Sequence, residues 1–187
     1  MASRKNTRNL YDCIIVGGGP GGLVSVLYLG RFRRRVLLVD AGFPRARWIP
    51  RIRNLVGYSK GLTGPQLLSR LRHQVQLYPV EFERGLAQVR RDRKSFQVQV
   101  GSRQFQTRYV ILATGLVDEQ PDLAVIPELR SMGLLGYCPI CDGYDHARQQ
   151  VALLVKDSHC LRKVKYISKL CPRLTLAEEA PCLFERS

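Results

Sequence analysis

Cys138 and Cys141 are separated by two residues, Pro139 and Ile140, in the stretch GYCPICDGYD, residues 136–145, with Asp142 directly after the second. Three chemistries fit such a pair: ligating a metal, bracing a fold, or exchanging electrons with another thiol pair. Cysteines at this spacing can close a small disulfide loop, and a helix start or cationic surroundings lowers a thiol pKa so that a thiolate is available near neutral pH. A carboxyl group beside them, here Asp142, can shuttle the proton that thiolate formation releases. Structural zinc usually needs a second ligand pair. Cys160, Cys171 and Cys182 instead stand singly at eleven-residue intervals, with His146 and His159 in no matching arrangement. No metal site is expected, and those three later cysteines read as core or surface thiols.

A second constellation lies at the other end of the chain. Gly17, Gly19 and Gly22 satisfy GxGxxG, and Asp40 follows about 20 residues on. Gly17 permits a tight turn, Gly19 lets the backbone approach a pyrophosphate at the positive end of a helix, and Gly22 permits close helix-to-strand packing. Asp40 can accept hydrogen bonds from ribose hydroxyls.

Elements to hold these residues are legible around them. Apolar runs at Cys13–Val16 and Val36–Val39 flank the glycines and a helical stretch, Leu23–Leu29, which makes a strand, turn, helix, strand unit whose strands are buried on both faces. Gly42 to Gly61 reads as a connection. A second helix follows, with Leu67, Leu68, Leu71 and Val75 on one face, Pro65 in its first turn, and Thr63 and Gln66 as a capping box. From Pro79 onward the alternation at Phe96, Val98 and Val100 predicts a small antiparallel meander that feeds a buried strand at Val110–Ala113. A proline-punctuated linker after Gly115 separates two lobes, 1–117 and 118–187. The second lobe carries the cysteines and then a strand (VALLV), a helix (HCLRKVKYISKL) and a strand (RLTL), a βαβ unit that begins and stops early.

Four motifs in register, DCIIVGGGPGGL, RNLVGYSKGLTGPQLL, VILATG and CPICDGYD, resemble those of the low-molecular-weight thioredoxin reductases, within the pyridine nucleotide-disulfide oxidoreductases, over about residues 10–150. That resemblance implies an α/β, Rossmann-like FAD/NAD(P)-binding three-layer fold with a partial second dinucleotide-type lobe. It also implies an FAD site around Gly17, Gly19, Gly22 and Asp40, with Asn54 near the isoalloxazine ring and Thr114 and Gly115 lining the cofactor. Cys138 and Cys141 become a redox-active disulfide reduced by the flavin: Cys141 is the flavin-proximal thiol, Cys138 the interchange thiol, and Asp142 the acid-base group. The implied activity passes electrons from reduced FAD to this disulfide and on to a thioredoxin-like protein or a small disulfide substrate.

The chain departs from that pattern in two places. VALLV is followed by KDSHCLRK, with no glycine and with Lys156 and Asp157 where a second fingerprint belongs, so NADPH binding by this route is not expected. The family's C-terminal Gly-Asp pair has no counterpart before Ser187, so a truncated chain is expected, and a non-catalytic FAD-fold remnant acting as an interaction module is the alternative reading.

Composition narrows the partners. The 187 residues are 45% hydrophobic, no apolar run approaches a membrane span, and no signal peptide is evident, which points to a soluble cytoplasmic protein. Thirty Lys and Arg against fifteen Asp and Glu give a formal charge of +15, suited to an acidic electron donor such as a ferredoxin. Nucleic-acid binding is not expected, because of the three basic clusters, Arg31–Arg35, Arg45–Arg53 and Arg90–Lys94, only the second contains a tryptophan. A homodimer is among the assemblies this reading allows.

Overall fold

A computed structural model describes residues 10–155 and 160–178. Lys156, Asp157, His159 and Cys182 therefore lie outside the described residues. The chain divides into two compact units, Met1–Val117 and Asp118–Ser187.

In the first unit, β1 (Leu10–Val16), α1 (Pro20–Arg31) and β2 (Val36–Asp40) form the expected βαβ unit. The helix starts at Pro20, whose fixed φ suits the first helical position, three residues before the apolar stretch that announces it. A 3-10 turn (Arg45–Trp48) and α2 (Gly64–Val75) follow. The capping box at the start of α2 is formed: the Gln66 N–H donates to Thr63 Oγ1 at 3.2 Å and the Thr63 N–H donates to Gln66 Oε1 at 2.9 Å.

Four more strands complete a six-stranded sheet: β3 (Glu81–Arg84), β4 (Ala87–Asp92), β5 (Ser95–Val100) and β6 (Arg103–Leu112), in the order β3-β2-β1-β6-β5-β4. Two features differ from the sequence expectation. β3 is not part of the meander; it pairs parallel with β2, Leu37 opposite Glu81 through Asp40 opposite Arg84. The meander's last strand and the strand expected to be buried at Val110–Ala113 are one element, because β6 pairs antiparallel with β5 and parallel with β1 on its other side; that end is half-buried at Val110 and Ile111 and exposed at Leu112. Both follow from edges that only the assembled sheet presents. The result is an α/β, Rossmann-like fold.

The sheet buries both faces. Cys13, Ile15, Val36 and Leu38 pack with Leu23, Val26 and Leu27 of α1 and Leu68 and Val75 of α2. Tyr11, Ile14, Leu37 and Val39 pack with Val98 and Val100 of β5. Each such side chain, fully buried, contributes about 1.5–3 kcal/mol. Burial pushes the Cys13 thiol pKa up, which keeps it protonated and unreactive.

Tyr11 ties β1 to β3. Its hydroxyl donates to Glu81 Oε2 at 2.6 Å. Burial, reinforced by that hydrogen bond and the Glu81 charge, raises its pKa from 10.0 to about 12. A raised phenol pKa means that the fold favours the protonated form, so this contribution is complete below pH 10 and is lost as pH rises from 10 to about 12. Tyr11→Phe is accordingly expected to be less stable than the parent by about 1 kcal/mol at pH 7. Between pH 10 and pH 12 the gap should close in urea titrations; parallel pH profiles would contradict this assignment.

The second unit contains α3 (Ile126–Ser131), α4 (Pro139–Asp142), β7 (Val151–Val155), α5 (Leu161–Leu170) and β8 (Leu174–Glu178). α3 lies inside the expected linker, where Pro127 opens the helix rather than interrupting the chain, since a first-turn proline loses no hydrogen bond. β7 and β8 pair parallel, Val151 opposite Leu174 through Val155 opposite Glu178, so β7, α5 and β8 make a complete βαβ unit. Among the described residues, no helix is long and apolar enough to cross a membrane.

Candidate functional site

Parallel pairing brings the carboxyl ends of β1, β2 and β6 to one edge of the sheet, with β1 between the other two. Ligands of open α/β sheets bind in the crevice outside such ends. The segments leaving this edge are Gly17–Gly19, Asp40–Gly42 and Ala113–Gly115.

The glycine turn is packed from three sides. Gly17 has φ +113°, its N–H donates to Val39 O at 2.8 Å, and a Cβ placed on it would stand 2.2 Å from Ala113 O and 3.2 Å from Thr114 Cα. A Cβ on Gly22 would stand 1.8 Å from Gly17 O, so the first turn of α1 lies directly on the glycine turn. Gly19 differs. It is the N-cap of α1, no side chain caps that end, the first turn holds no acidic residue, and the nearest atom to a hypothetical Cβ is Pro44 Cβ at 4.0 Å. Room and open helical N–H groups thus coincide at Gly19, as a phosphate requires.

Asp40 braces this turn. Its Oδ1 accepts from the Gly18 N–H at 3.2 Å and the Gly42 N–H at 2.9 Å, and its Oδ2 lies 3.4 Å from an Arg72 guanidinium nitrogen. The sequence motif does not specify Gly18, yet a Cβ on it would stand 2.1 Å from Asp40 Oδ2. The signal available is the middle glycine of the run Gly17-Gly18-Gly19, the position that the GxGxxG pattern leaves unspecified. Removing the carboxylate orphans two backbone donors, so Asp40→Ala is expected to cost about 1–3 kcal/mol in urea unfolding. Arg72→Ala, at a half-exposed pair, should cost less than about 1 kcal/mol. Equal losses would assign the bracing to the ion pair instead.

Thr114 and Gly115, both exposed, follow β6 beside Gly17, and Gly115 has φ +71°. Asn54 stands exposed on the loop closed by the Ile52–Leu62 bridge, and among the described residues no hydrogen bond ties it to the glycine turn.

In the second unit, Cys138 and Cys141 form a disulfide, their Cα atoms 5.2 Å apart. Cys138 is the N-cap of α4 and Pro139 its first residue. The Cys141 N–H lies 3.2 Å from Cys138 Sγ and 3.0 Å from Cys138 O, while the Asp142 N–H donates to that same carbonyl at 3.0 Å. Cys141 is exposed and Cys138 half-buried. The half-buried Asp142 carboxyl overlies Gly136, where a Cβ would stand 2.9 Å from Oδ2.

A four-residue helix cannot hold itself. Its exit turn is seated on the end of α5: Cys171 is buried, with Sγ 3.9 Å from Gly143 O and 3.6 Å from His146 O, and a Cβ on Gly143 would stand 2.9 Å from Leu170 Cδ1. Cys171 is thus a core thiol with a local task that its spacing did not disclose. Among the described residues no group of three or more His, Cys, Asp or Glu side chains is arranged to hold a metal ion.

Residues 11–155 match the family described as pyridine nucleotide-disulphide oxidoreductase. The chain belongs to that family. Among its relatives, a thioredoxin reductase of Listeria innocua is 26% identical over 179 residues, covering 94% of this chain and 54% of the relative. A thioredoxin reductase of Bacillus subtilis is 24% identical over 170 residues, covering 89% and 53%. Among solved structures, HlmI superposes with TM-score 0.77 at 30% identity, over 90% of this chain and 54% of HlmI. The thioredoxin reductase of Streptococcus pyogenes superposes with TM-score 0.79 at 24% identity, over 90% and 55%, a likeness of fold. This member of the oxidoreductase family therefore spans about half the length of the curated relatives it matches.

Proposed function

We propose that this chain acts as a flavin-dependent disulfide oxidoreductase, with FAD held at the glycine turn and Cys138 and Cys141 as its redox pair. The observation that carries the reading is the Cys138–Cys141 disulfide at the start of α4, with the Cys141 N–H directed at Cys138 Sγ.

The residues of the glycine turn suit the cofactor. Gly19 leaves space for a pyrophosphate beside the open N-terminus of α1, and Asp40 Oδ2, which receives no backbone hydrogen bond, has a lone pair to offer a ribose hydroxyl. Thr114 and Gly115 line the same edge, and Asn54 is assigned to the isoalloxazine end. FAD, when bound, supplies the electron pair that opens the Cys138–Cys141 bond.

The two thiols then divide the work. The Cys141 N–H and the start of α4 favour negative charge on Cys138 Sγ, which makes Cys138 the attacking thiolate. It attacks one sulfur of the partner's disulfide, and the partner's other sulfur leaves as a thiolate that takes up a proton. Cys141, deprotonated with Asp142 as proton acceptor, attacks Cys138 Sγ, re-forms the intramolecular disulfide and releases the partner as a dithiol. Two electrons and two protons are transferred.

On the thiol side the partner is a thioredoxin-like protein or a small disulfide. The electron donor is an acidic protein such as a ferredoxin rather than NADPH, a choice motivated by the formal charge of +15 and by the sequence after β7, which lacks a glycine fingerprint. The protein works in the cytoplasm, with a homodimer as the assembly to look for. The deciding experiment is the visible spectrum of the purified protein, reconstituted with FAD and titrated anaerobically. A yellow protein that takes up one more electron pair than its flavin alone supports the proposal. A colourless protein that cannot be reconstituted overturns it in favour of a non-catalytic interaction module.

A further inference from the structure

Between Asp40 and Glu81 the chain runs through residues 41–80 without a single Asp or Glu, while carrying seven Lys and Arg. In the structure this stretch is a built surface. Ala46 is buried, and Gly64 fits beneath it so closely that a Cβ there would stand 1.6 Å from Ala46 O. Ile52 and Leu62 exchange backbone hydrogen bonds at 2.7 and 3.2 Å, and an Arg51 guanidinium nitrogen donates to Lys60 O at 2.9 Å, which closes the loop across its base. Two aromatic rings order cations upon it: the Arg47 guanidinium lies 4.7 Å from the Trp48 ring centroid, and that of Arg70 lies 5.2 Å from the ring of Tyr58. Trp48 is 52% exposed and Val56, at the tip, 96% exposed.

A fixed cationic loop with protruding apolar side chains has the composition of an interface centre, where Trp, Tyr and Arg are enriched. We propose that the loop spanning residues 45–60, with Arg70 beside it, is a docking surface for an acidic protein. Charge complementarity selects the occupant, since a segment of one sign attracts a partner of the other and repels a second copy of itself. Protein is favoured over single-stranded nucleic acid because the rings of Trp48 and Tyr58 already stack guanidinium groups, and Val56 gains nothing from a phosphate backbone. This goes beyond the redox reading, because docking is measured without electron transfer and each can fail alone.

The test uses the full chain with two acidic probes, a [2Fe-2S] ferredoxin and an oxidised acidic thioredoxin, and a 20-base-pair DNA duplex as the competing class, by calorimetry at low ionic strength. One variant carries Arg47→Glu, Lys60→Glu and Arg70→Glu; a control with the same charge change carries Arg90→Glu, Arg91→Glu and Lys94→Glu on the exposed β4–β5 hairpin. Serine versions of both sets, checked by circular dichroism, guard against misfolding. At least one acidic protein is expected to bind, at least about tenfold more weakly to the loop variant and within about threefold of the parent to the control. Trp48→Ala should weaken the same complex at unchanged salt dependence. Equal weakening by both charge sets, binding to neither acidic protein, or loop-dependent binding of the duplex alone overturns the proposal.

Discussion

Cys138→Ser is expected to lower turnover with a protein disulfide by at least about a thousandfold, while Cys141→Ser traps the partner as a covalent adduct. Both variants lose the disulfide, so a purely bracing role predicts equal behaviour. The exchange reading predicts different behaviour, because Cys138 Sγ faces the Cys141 N–H and so takes the attacking role, whereas Cys141 acts second. With Cys141 replaced, the mixed disulfide on Cys138 has no resolving thiol and survives non-reducing electrophoresis. With Cys138 replaced, the sulfur that accepts the Cys141 N–H is gone, and an adduct on Cys141 should form far more slowly. Adducts of equal yield on both variants would reverse or remove the assignment. Loss of neither activity nor disulfide exchange would leave the pair a structural brace.

Gly19→Ala and Gly22→Ala form the second test, since the two glycines of one motif are required for different reasons. At Gly22 a Cβ meets backbone, 1.8 Å from Gly17 O, so α1 must shift away from the turn; a loss of about 1–3 kcal/mol and a melting temperature lower by several degrees are expected. At Gly19 the φ of −76° suits any residue and the nearest atom is 4.0 Å away, so Gly19→Ala should stay within about 1 kcal/mol of the parent. The methyl group instead enters the space assigned to the pyrophosphate. Flavin affinity, read by quenching of flavin fluorescence, should therefore fall at least about tenfold in Gly19→Ala with the melting temperature nearly unchanged. Undiminished flavin binding in that variant would remove the glycine turn as the cofactor site. Greater destabilisation by Gly19→Ala than by Gly22→Ala would contradict the packing.

The two sites were legible to different depths. Gly17, Gly19 and Gly22 announce themselves because a turn that enters a helix has few backbone solutions, and each glycine answers a local steric demand. The position of Asp40 after β2 suggests a ribose acceptor, whereas the hydrogen bonds that its carboxylate accepts from the Gly18 and Gly42 N–H groups depend on the folded turn. Cys171 gave no signal at all, for its partners Gly143 and His146 lie 28 and 25 residues away. Asn54, Thr114 and Gly115 came from the motif resemblance, and of these the structure places Thr114 against the glycine turn.

By itself the sequence determined what is settled within a few residues: the βαβ order around Gly17, the capping box of Thr63 and Gln66, and the Cys-Pro-Ile-Cys spacing that lets two sulfurs meet. These depend on turn sterics, caps and hydrophobic period, which the chain carries locally. Only the tertiary structure decided that β3 joins the parallel edge, that β6 serves two partners at once, that Gly18 lies against Asp40, and that the cysteine turn rests on Cys171. Those contacts join residues far apart in the chain. Their free energy comes from burial and pairing that exist only once the sheet and helices have come together.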